Sequence, residues 1–404
     1  MNIDFNDKKV LVRVDYNVPL NAQFEITDDT RMTASIPTLR YILDDGGSII
    51  LMSHLGRPDK IIKETGVVPR EKLTLQHLQK HLSDLLQMPI LFCPETVGPK
   101  AREMVANLKK GEVLLMENTR FEAGETKGDT VLAKQMADLA DCYVNDAFGT
   151  AHREHSSTAT VARYFPKSKK SFGFLMDAEL ANAEKILNNP PRPLTAIIGG
   201  AKVSDKILLL KKMIHLVDHL IIGGGMAYTF FKAQGGEIGN SLVEVDKLDT
   251  ALEVMKEAEL KGVKIHLPED SVIAESFSNE VPVKTQKSDE IQAPWMGLDI
   301  GPKAVDAFTE VIKQSKAILW NGPMGVFEMS NFANGTRKIA LAVADTTQKG
   351  AYSLVGGGDS VAAIQQMDLS EQVSYVSTGG GAMLELLEGK ILPGVSAMKA
   401  EMEA

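Results

Sequence analysis

The stretch TAIIGGAKVSDKILLL, residues 195–210, decides the fold of this chain. Its apolar run Ala196-Ile197-Ile198 is typical of a buried parallel strand, and two glycines follow that run directly. The spacing of apolar residues from Ile207 to Val217 then predicts a helix whose other side carries lysines. A strand therefore leads through a glycine turn into a helix, with Ser204 and Asp205 as candidate helix-capping residues.

Such a turn is a candidate site for an anion. Backbone N–H groups and the helix dipole favour negative charge there, and Lys202 adds a full positive charge. The GxxxxGK[ST] spacing of a Walker A loop is absent. Taken alone, the turn fits an ordinary strand-to-helix connection equally well, and the rest of the chain has to decide between the two interpretations.

The composition is that of a globular chain of two or three domains. The chain has 404 residues, of which 44% are hydrophobic, and its net charge of −9 disfavours general nucleic-acid binding. No apolar run approaches the ~20 residues of a membrane helix, and the N-terminus lacks the apolar region of a signal peptide. Two cysteines in so long a chain indicate a reducing compartment, so we expect a cytoplasmic protein.

The first half alternates apolar runs with helical patterns, which predicts a parallel α/β sheet. In such sheets ligands bind beyond the carboxyl ends of the strands, where Arg, His, Asn and Asp recur in this chain. Ten of the eleven arginines lie at or before Arg192, so this half is suited to a small, highly charged anion. A metal site on His54, His152 and His155 is disfavoured, because no carboxylate or cysteine stands at ligand spacing. The predicted strands are 10–12, 49–52, 90–93, 113–116 and 142–144, and the predicted helices are 33–43, 73–86 and 130–140.

A domain boundary is predicted near residue 190. Residues 177–187, DAELANAEKIL, form a helical pattern, and the proline-rich segment 188–193 ends it. This arrangement predicts two lobes joined by a short connector. We expect a first lobe over residues 1–176, an interdomain helix over 177–189 and a second lobe over 190–391.

The second half repeats the strand-and-turn theme with glycine-rich turns. They follow the apolar runs 196–198, 220–222, 317–320, 353–355 and 375–377. Glycines let a ligand approach the backbone closely, so several such turns indicate a nucleotide and its phosphates. Asp359 is a candidate ligand of Mg²⁺, and Glu328 is either a ribose acceptor or a surface acid. The polar segment 275–289 is predicted to be irregular surface.

An arginine-rich lobe and a glycine-rich lobe together favour phosphoryl transfer from a nucleotide to a small anionic acceptor. Such transfer requires positioning and charge neutralisation more than covalent chemistry. Arg31 and Lys202 would flank the moving phosphoryl group. No activated base is evident, and a carboxylate acceptor needs none because it is already ionised near neutral pH.

The chain resembles the phosphoglycerate kinase family, whose motifs occur in family order along nearly its whole length. The resemblance implies an α/β protein with two Rossmann-like, doubly wound parallel-sheet lobes around a cleft, joined by a helix. It also implies that roughly Leu392–Ala404 returns to the first lobe and that the chain is a monomer. The matching segments are RVDYNVP (13–19), SHLGRP (53–58), ENTRF (117–121), YVNDAFGTAHR (143–153), GGAKVSDK (199–206), GGGMAYTF (223–230), GLDIGPK (297–303), WNGPMGVFE (320–328), GGGDS (356–360) and STGGGAMLELLEGK (377–390).

The resemblance also assigns residues to roles in the ATP-dependent interconversion of 3-phosphoglycerate and 1,3-bisphosphoglycerate. Arg31 and Lys202 take the transition-state role, helped by backbone N–H groups near Gly380 and Gly381. Mg²⁺ accompanies the nucleotide, with Asp359 as its ligand. The implied 3-phosphoglycerate contacts are Asp15, Tyr16, Asn17, Arg31, His54, Leu55, Gly56, Arg57, Arg120 and Arg153, and the implied nucleotide contacts are Lys202, Gly297, Glu328, Gly357, Gly358, Asp359 and Ser360.

Two alternatives stay open at this point. One is a two-lobed anion-binding protein without chemistry, although such binders are usually exported and no export signal is expected here. The other is a kinase of the same fold acting on another carboxylate, such as an acetate-type acid, which the arginines disfavour. The family pattern departs at Lys60 and at residues 266–270, and neither touches a motif residue.

Overall fold

The computed structural model describes residues 1–402 and divides into two compact units. Unit 1 comprises Met1–Ala181 and the C-terminal segment from Lys390, and unit 2 comprises Asn182–Gly389. The end of the predicted C-terminal segment, residues 403–404, lies outside the described residues.

Strands and helices alternate along most of the chain. The strands are β1 (Lys9–Val14), β2 (Ser48–Met52), β3 (Ile90–Phe92), β4 (Val113–Leu115), β5 (Cys142–Asp146), β6 (Lys170–Phe172), β7 (Leu194–Ile198), β8 (His219–Ile222), β9 (Glu237–Ile238), β10 (Lys264–His266), β11 (Asp270–Ala274), β12 (Lys284–Lys287), β13 (Glu290–Ile291), β14 (Met296–Ile300), β15 (Ala317–Asn321), β16 (Tyr352–Gly356) and β17 (Tyr375–Val376). The helices are α1 (Thr30–Asp44), α2 (Pro58–Thr65), α3 (Arg70–Leu73), α4 (Gln76–Leu86), α5 (Pro99–Ala106), α6 (Thr130–Ala137), α7 (Phe174–Leu187), α8 (Ile207–Ile214), α9 (Ala227–Ala233), α10 (Leu248–Lys261), α11 (Pro302–Lys313), α12 (Asn334–Gln348), α13 (Gly358–Gln366), α14 (Gly381–Leu387) and α15 (Pro393–Lys399).

Unit 1 is built on a six-stranded parallel sheet in the order β3-β4-β2-β1-β5-β6. All five predicted strands of the first half are confirmed. The residues of β1, β2, β4 and β5 are almost all buried, as expected of central parallel strands, whereas the edge strand β3 leaves Leu91 exposed. Arg13 pairs with Met52 on one side and with Asn145 on the other. This register brings the segments that follow β1, β2 and β5 to one edge.

Unit 2 repeats this plan with a parallel sheet in the order β10-β8-β7-β15-β16-β17. The five predicted strands of the second half are confirmed. A smaller antiparallel sheet, β12-β11-β14, and a two-stranded sheet, β13-β9, complete the unit. The prediction that 275–289 is irregular was wrong at β12, whose mostly exposed residues pair with β11. Pairing on one side only leaves such a strand without an apolar pattern.

The connecting helix α7 begins at Phe174, three residues before the predicted start at Asp177. Two unit 1 side chains accept hydrogen bonds from its first turn. The hydroxyl of Thr38 accepts from the Phe174 N–H at 2.9 Å, and the Asp146 carboxylate accepts from the Met176 N–H at 3.0 Å. These acceptors satisfy N–H groups that an uncapped helix start would leave unpaired. Burial raises the pKa of the Asp146 carboxyl to about 6.

Two other helix predictions need correction. The predicted helix 73–86 is interrupted, because Glu117 accepts from the Thr74 hydroxyl at 2.8 Å and from the Leu75 N–H at 2.9 Å. Neither Ser204 nor Asp205 caps α8. The Ser204 N–H and hydroxyl instead donate to the Glu244 carboxylate.

The C-terminal helix α15 packs within unit 1, as the family resemblance implies. The Gly394 N–H donates to the Ala151 carbonyl at 2.8 Å, and the Lys170 ammonium donates to the Ala397 carbonyl at 3.0 Å. Ala397 and Met398 join the core cluster on one face of the unit 1 sheet. Nowhere in residues 1–402 does a helix combine the length and apolar composition needed to cross a bilayer.

Candidate active site

Polar side chains of unit 1 converge where β1, β2 and β4 end. Asp15 follows β1, His54 follows β2 and Arg120 lies five residues beyond β4. Because neighbouring parallel strands end at one edge, these side chains meet although they are far apart in sequence. Asp15 and His54 are buried, whereas Arg120 is partly exposed.

Arg31, in the first turn of α1, is held against the β1 end. Its Nη1 lies 3.2 Å from the Asp15 carboxylate and donates to the Asn17 carbonyl at 3.0 Å. The guanidinium remains about one-third exposed, with side-chain exposure of 34%. It is therefore oriented from one side and open on the other, which suits a group that binds an anion.

Asn17 and Arg120 fix the loop that follows β2. The Asn17 side-chain oxygen accepts from the Gly56 N–H at 2.8 Å, and Arg120 Nη1 donates to the Gly56 carbonyl at 2.8 Å. Asn118 Nδ2 donates to the Leu55 carbonyl at 2.8 Å. The structure thus brings predicted residues from three separate motifs into one hydrogen-bonded network.

His54 is neutral in this site. Burial lowers its pKa well below the usual range, and Arg13 and Arg120 lower it further. Its Nδ1 lies 3.3 Å from Arg13 Nη2 and 3.7 Å from Asp15 Oδ1. A guanidinium can only donate, so Nδ1 accepts the shorter contact and the ring proton resides on Nε2. A neutral imidazole with this tautomer donates one hydrogen bond from Nε2.

The remaining predicted residues of unit 1 differ in exposure. The Tyr16 side chain is buried with its hydroxyl 2.8 Å from the Ser35 hydroxyl, and Leu55 belongs to the apolar core. Both side chains are therefore closed to a ligand, and the Tyr16 N–H already donates to the Ser53 hydroxyl at 2.8 Å. Arg57, which precedes α2, and Arg153 are exposed.

Arg153 lines an open polar pocket with His152 and His155. Burial first, and then the neighbouring arginines, lowers the pKa of His155 to about 3. The His155 ring is therefore neutral near pH 7, and the positive charge in the pocket lining comes from Arg153 and Lys127, with Glu154 as the acidic neighbour.

Arg13 is a site residue that sequence reasoning left out of the predicted set. It is the last but one residue of β1, is only 1% exposed, and contacts both His54 and Ser157. The available signal was a charged residue inside the otherwise apolar strand VLVRV, since a buried charge requires partners.

Unit 2 contains a cavity of about 470 Å³ next to the glycine-rich turns. It brings together three of the predicted nucleotide contacts, Gly297, Glu328 and Asp359, from distant parts of the chain. Tyr228, Leu242 and Phe277 contribute apolar surface, and Gly200 and Gly224 contribute backbone. Apolar walls with a few polar groups are typical of a site for a nucleotide-sized ligand.

Two glycines of unit 2 are required by close approach. A Cβ on Gly297 would lie 1.8 Å from the Tyr228 hydroxyl, and a Cβ on Gly199 would lie 1.9 Å from the Pro323 carbonyl oxygen. Any larger residue at either position would displace the neighbouring backbone or ring. The glycine motifs therefore serve internal packing of the cavity wall as well as ligand approach.

Lys202 is exposed on the turn after β7, as predicted. Lys206, which ends the same GGAKVSDK motif, was missed. Its ammonium is partly buried and donates to the Asn321 side-chain oxygen, and burial lowers its pKa. Asp359 opposes that shift of the Lys206 pKa, so the two groups are near each other. The signal was a second lysine four residues after Lys202 in a turn interpreted as a phosphate site.

The other glycines predicted to bind the nucleotide or to assist the transition state lie at two helix starts. Gly357 precedes α13 and Gly358 begins it, while Gly380 precedes α14 and Gly381 begins it. Ser360 is buried and outside the cavity lining: its hydroxyl accepts from the Gly322 N–H at 2.6 Å and donates to the Gly356 carbonyl. Ser360 therefore ties two glycine-rich turns together.

Three carboxylates line the cavity, Asp299, Glu328 and Asp359, and Asp359 is the one that the sequence predicts as a ligand of nucleotide-borne Mg²⁺. Asp359 lies in the first turn of α13 and lines the cavity. Mg²⁺ usually takes one or two carboxylates and completes its shell with phosphate oxygens and water, so this single carboxylate fits it. Within residues 1–402, no group of three or more His, Cys, Asp and Glu side chains is placed to hold a metal by itself.

Comparison with known proteins gives concordant similarities. The family model described as phosphoglycerate kinase matches residues 1–390. A phosphoglycerate kinase of Porphyromonas gingivalis is 48% identical over 419 residues, covering 98% of each chain. A cytosolic phosphoglycerate kinase of Nicotiana tabacum is 49% identical, covering 98% of this chain and 96% of that protein. The solved structure of phosphoglycerate kinase from Coxiella burnetii is similar with a TM-score of 0.88 and 39% identity, covering 98% of this chain and 97% of that one.

Proposed function

Because the chain belongs to the phosphoglycerate kinase family, we propose that unit 1 binds 3-phosphoglycerate and unit 2 binds ATP or ADP. The protein is an ATP-dependent phosphotransferase of glycolysis that interconverts 1,3-bisphosphoglycerate plus ADP and 3-phosphoglycerate plus ATP. We also propose which residues of unit 1 bind 3-phosphoglycerate and which residues of unit 2 bind the nucleotide. The observation that supports it best is the network joining Arg31, Asp15, Asn17, Gly56 and Arg120.

In unit 1, arginines supply the charge that neutralises 3-phosphoglycerate. Arg31, Arg120 and the exposed Arg57 and Arg153 offer guanidinium groups that can donate bidentate bonds to phosphate or carboxylate. Neutral His54 adds an Nε2–H donor. We further assign Asp15, Asn17 and the backbone of Tyr16, Leu55 and Gly56 to substrate contact.

In unit 2, the nucleotide base and ribose occupy the cavity, with Glu328 accepting from ribose hydroxyls. The backbone from Gly357 to Ser360 and the Lys202 ammonium contact the phosphates. Mg²⁺ held by Asp359 supplies additional neutralisation of phosphate charge when bound with the nucleotide.

The transfer step is direct. A carboxylate oxygen of 3-phosphoglycerate attacks the γ-phosphorus of ATP, the bond from that phosphorus to the β,γ-bridging oxygen breaks, and ADP leaves. Arg31, Lys202 and backbone N–H groups at Gly380 and Gly381 stabilise the charge on the transferred phosphoryl group. Closure of the two units on both substrates excludes water that would otherwise hydrolyse ATP. The ionised acceptor needs no general base.

A coupled assay tests this function. The purified chain is incubated with ATP, Mg²⁺ and either 3-phosphoglycerate or acetate, and NADH oxidation through pyruvate kinase and lactate dehydrogenase reports the ADP formed with each acceptor. We expect turnover that requires 3-phosphoglycerate and a far lower kcat/KM for acetate. Equal or greater kcat/KM with acetate would instead support the second alternative, and ligand binding without turnover would support the first.

The proposal includes a cytoplasmic monomer with the domain limits expected from the sequence, 1–176, 177–189 and 190–391. The thiols of Cys93 and Cys142 are both free and buried, which suits a reducing compartment. Light scattering on the purified chain tests the monomer, with 43.9 kDa as the expected mass.

A further inference from the structure

We infer that Glu125 and Ser157, acting through Arg13, set the tautomer of His54 and so make its Nε2–H available to 3-phosphoglycerate; the inference rests on the proposed function of unit 1. All four side chains are buried. None of Glu125, Ser157 and Arg13 belongs to the residues assigned above to substrate contact, so they act as positioning residues.

The four side chains form one hydrogen-bonded series, here called the Glu125 chain. Ser157 Oγ donates to Glu125 Oε1, and the Ser157 N–H donates to Glu125 Oε2 at 3.0 Å. Arg13 Nε donates to Ser157 Oγ at 2.8 Å, and Arg13 Nη2 lies 3.3 Å from His54 Nδ1.

The guanidinium of Arg13 and the carboxylate of Glu125 fix the donor and the acceptor of every hydrogen bond in the Glu125 chain. A guanidinium only donates, so Ser157 Oγ must accept from Arg13. The single hydroxyl proton of Ser157 is then left for Glu125, which as a carboxylate only accepts. At the other end of Arg13, His54 Nδ1 must also accept, and the neutral ring carries its proton on Nε2.

Asp15 competes with Arg13 for His54 Nδ1. The Glu125 chain therefore decides which of the two binds this nitrogen, and so which ring nitrogen carries the proton. Asp15 Oδ1 lies 3.7 Å from the same nitrogen and can only accept. If Arg13 moved away, Nδ1–H would donate to Asp15, and Nε2 would become an acceptor. An Nε2 lone pair facing a substrate phosphate cannot donate to it, so binding of 3-phosphoglycerate would weaken.

The buried carboxylate also compensates the charge of Arg13. A guanidinium that is 1% exposed requires a paired or hydrogen-bonded environment, since an isolated buried charge is strongly unfavourable. Glu125 supplies the negative charge one hydroxyl away. Burial lowers the pKa of the nearby Arg120, and Glu125 is among the carboxylates that oppose that shift. Arg13 Nη1 also donates to the Val14 carbonyl, so removal of either Ser157 Oγ or the Glu125 charge leaves Arg13 anchored through that bond but loosens its hold on His54.

The test compares Ser157→Ala and Glu125→Gln with Ser156→Ala. Ser156 is equally buried, but its hydroxyl donates to the Gly124 and Asp129 carbonyls and not to the Glu125 chain. The ¹⁵N shifts of the His54 ring, assigned by loss of signal in His54→Gln, are read without substrates. KM for 3-phosphoglycerate and KM for ATP are measured in parallel.

We expect Nε2–H in the wild-type chain and in Ser156→Ala. In Ser157→Ala we expect a shift toward Nδ1–H and a rise of about tenfold in KM for 3-phosphoglycerate, on the scale of one lost bond to a charged group, with KM for ATP unchanged. Ser157→Ala removes one oxygen only, so it decides the question even if Glu125→Gln fails to fold. An Nδ1–H tautomer in the wild type, or Nε2–H with unchanged KM in Ser157→Ala, would overturn the inference. The shifts need no turnover, so an inactive wild-type chain would count against the proposed function alone.

Discussion

The Arg31 guanidinium lies 3.2 Å from the Asp15 carboxylate while 34% of its side chain stays exposed. One face of the guanidinium is held by an acid and by the Asn17 carbonyl, and the other faces solvent. Asp15 is itself within 3.7 Å of His54. The orientation of Arg31 is thus set before a substrate arrives, which lowers the cost of ordering the side chain on binding.

Replacement of Arg31 by Ala should lower kcat by at least ~100-fold, because a donor aimed at developing charge is lost. Arg40→Ala is the matched control. Arg40 lies on the same helix, α1, and its Nη2 donates to the Leu85 and Leu86 carbonyls at 3.4 and 3.5 Å, away from the Asp15 carboxylate that holds Arg31. Steady-state kinetics in both directions of the reaction measure the effect, and near-normal turnover in Arg31→Ala would reject the assigned role.

Lys202→Ala should cause a similar loss of kcat, since its ammonium is proposed to stabilise the transferred phosphoryl group. Lys211→Ala, an exposed lysine on the following helix α8, should retain wild-type kinetics. A drop of equal size in both variants would indicate a general effect of net charge and would remove Lys202 from the transfer step.

His54 and His155 should stay neutral in the folded protein well below the usual histidine range, because burial and neighbouring arginines lower their pKa values. The unfolded pKa is about 6.5, so these groups favour folding fully above that pH. Stability is lost as pH falls through the interval toward the folded value, which for His155 is about 3.

Two measurements check this prediction. In NMR spectra the His54 ring signal should not titrate between pH 8 and 5, and the urea midpoint should fall between pH 6.5 and 4. His155→Asn should reduce that fall, since Asn does not titrate. A His54 pKa near 6.5 in the folded protein would show that the arginine cluster does not act on this ring as described.

Gly297→Ala should impair nucleotide binding selectively. A Cβ there would lie 1.8 Å from the Tyr228 hydroxyl, which donates to Ser271 at 2.8 Å. Forced displacement of Tyr228 would distort the cavity and destabilise the fold by about 1–3 kcal/mol. We expect a raised KM for ATP with little change in KM for 3-phosphoglycerate. An equal rise in both would mean that Gly297 acts outside the nucleotide cavity.

The sheet strands could be predicted from sequence because a buried parallel strand is a continuous apolar run. Runs such as 49–52 and 220–222 each became a strand. Short, one-sided strands such as Lys284–Lys287 have no such pattern, because most of their side chains remain in solvent. The break at Thr74 and Leu75 within the predicted helix 73–86 also escaped prediction, because it depends on a carboxylate 43 residues away in sequence.

The site was predictable in position but not in detail. Polar residues after apolar runs pointed to His54 and Arg120, because strand ends converge in α/β sheets, whereas Gly297 was expected only from the family resemblance. Arg13 and Lys206 were missed because a single sequence does not distinguish a charge facing a site from one facing solvent. Tyr16 shows the converse: it lies in a matching motif, yet its ring is in the core.

A crystal structure of the chain with 3-phosphoglycerate and a non-hydrolysable ATP analogue tests the central claim most directly. We predict that 3-phosphoglycerate accepts hydrogen bonds from Arg31, Arg120 and His54 Nε2, with the nucleotide in the cavity lined by Gly297 and Glu328. Electron density for 3-phosphoglycerate away from these guanidinium groups, or for the nucleotide outside that cavity, would contradict the account.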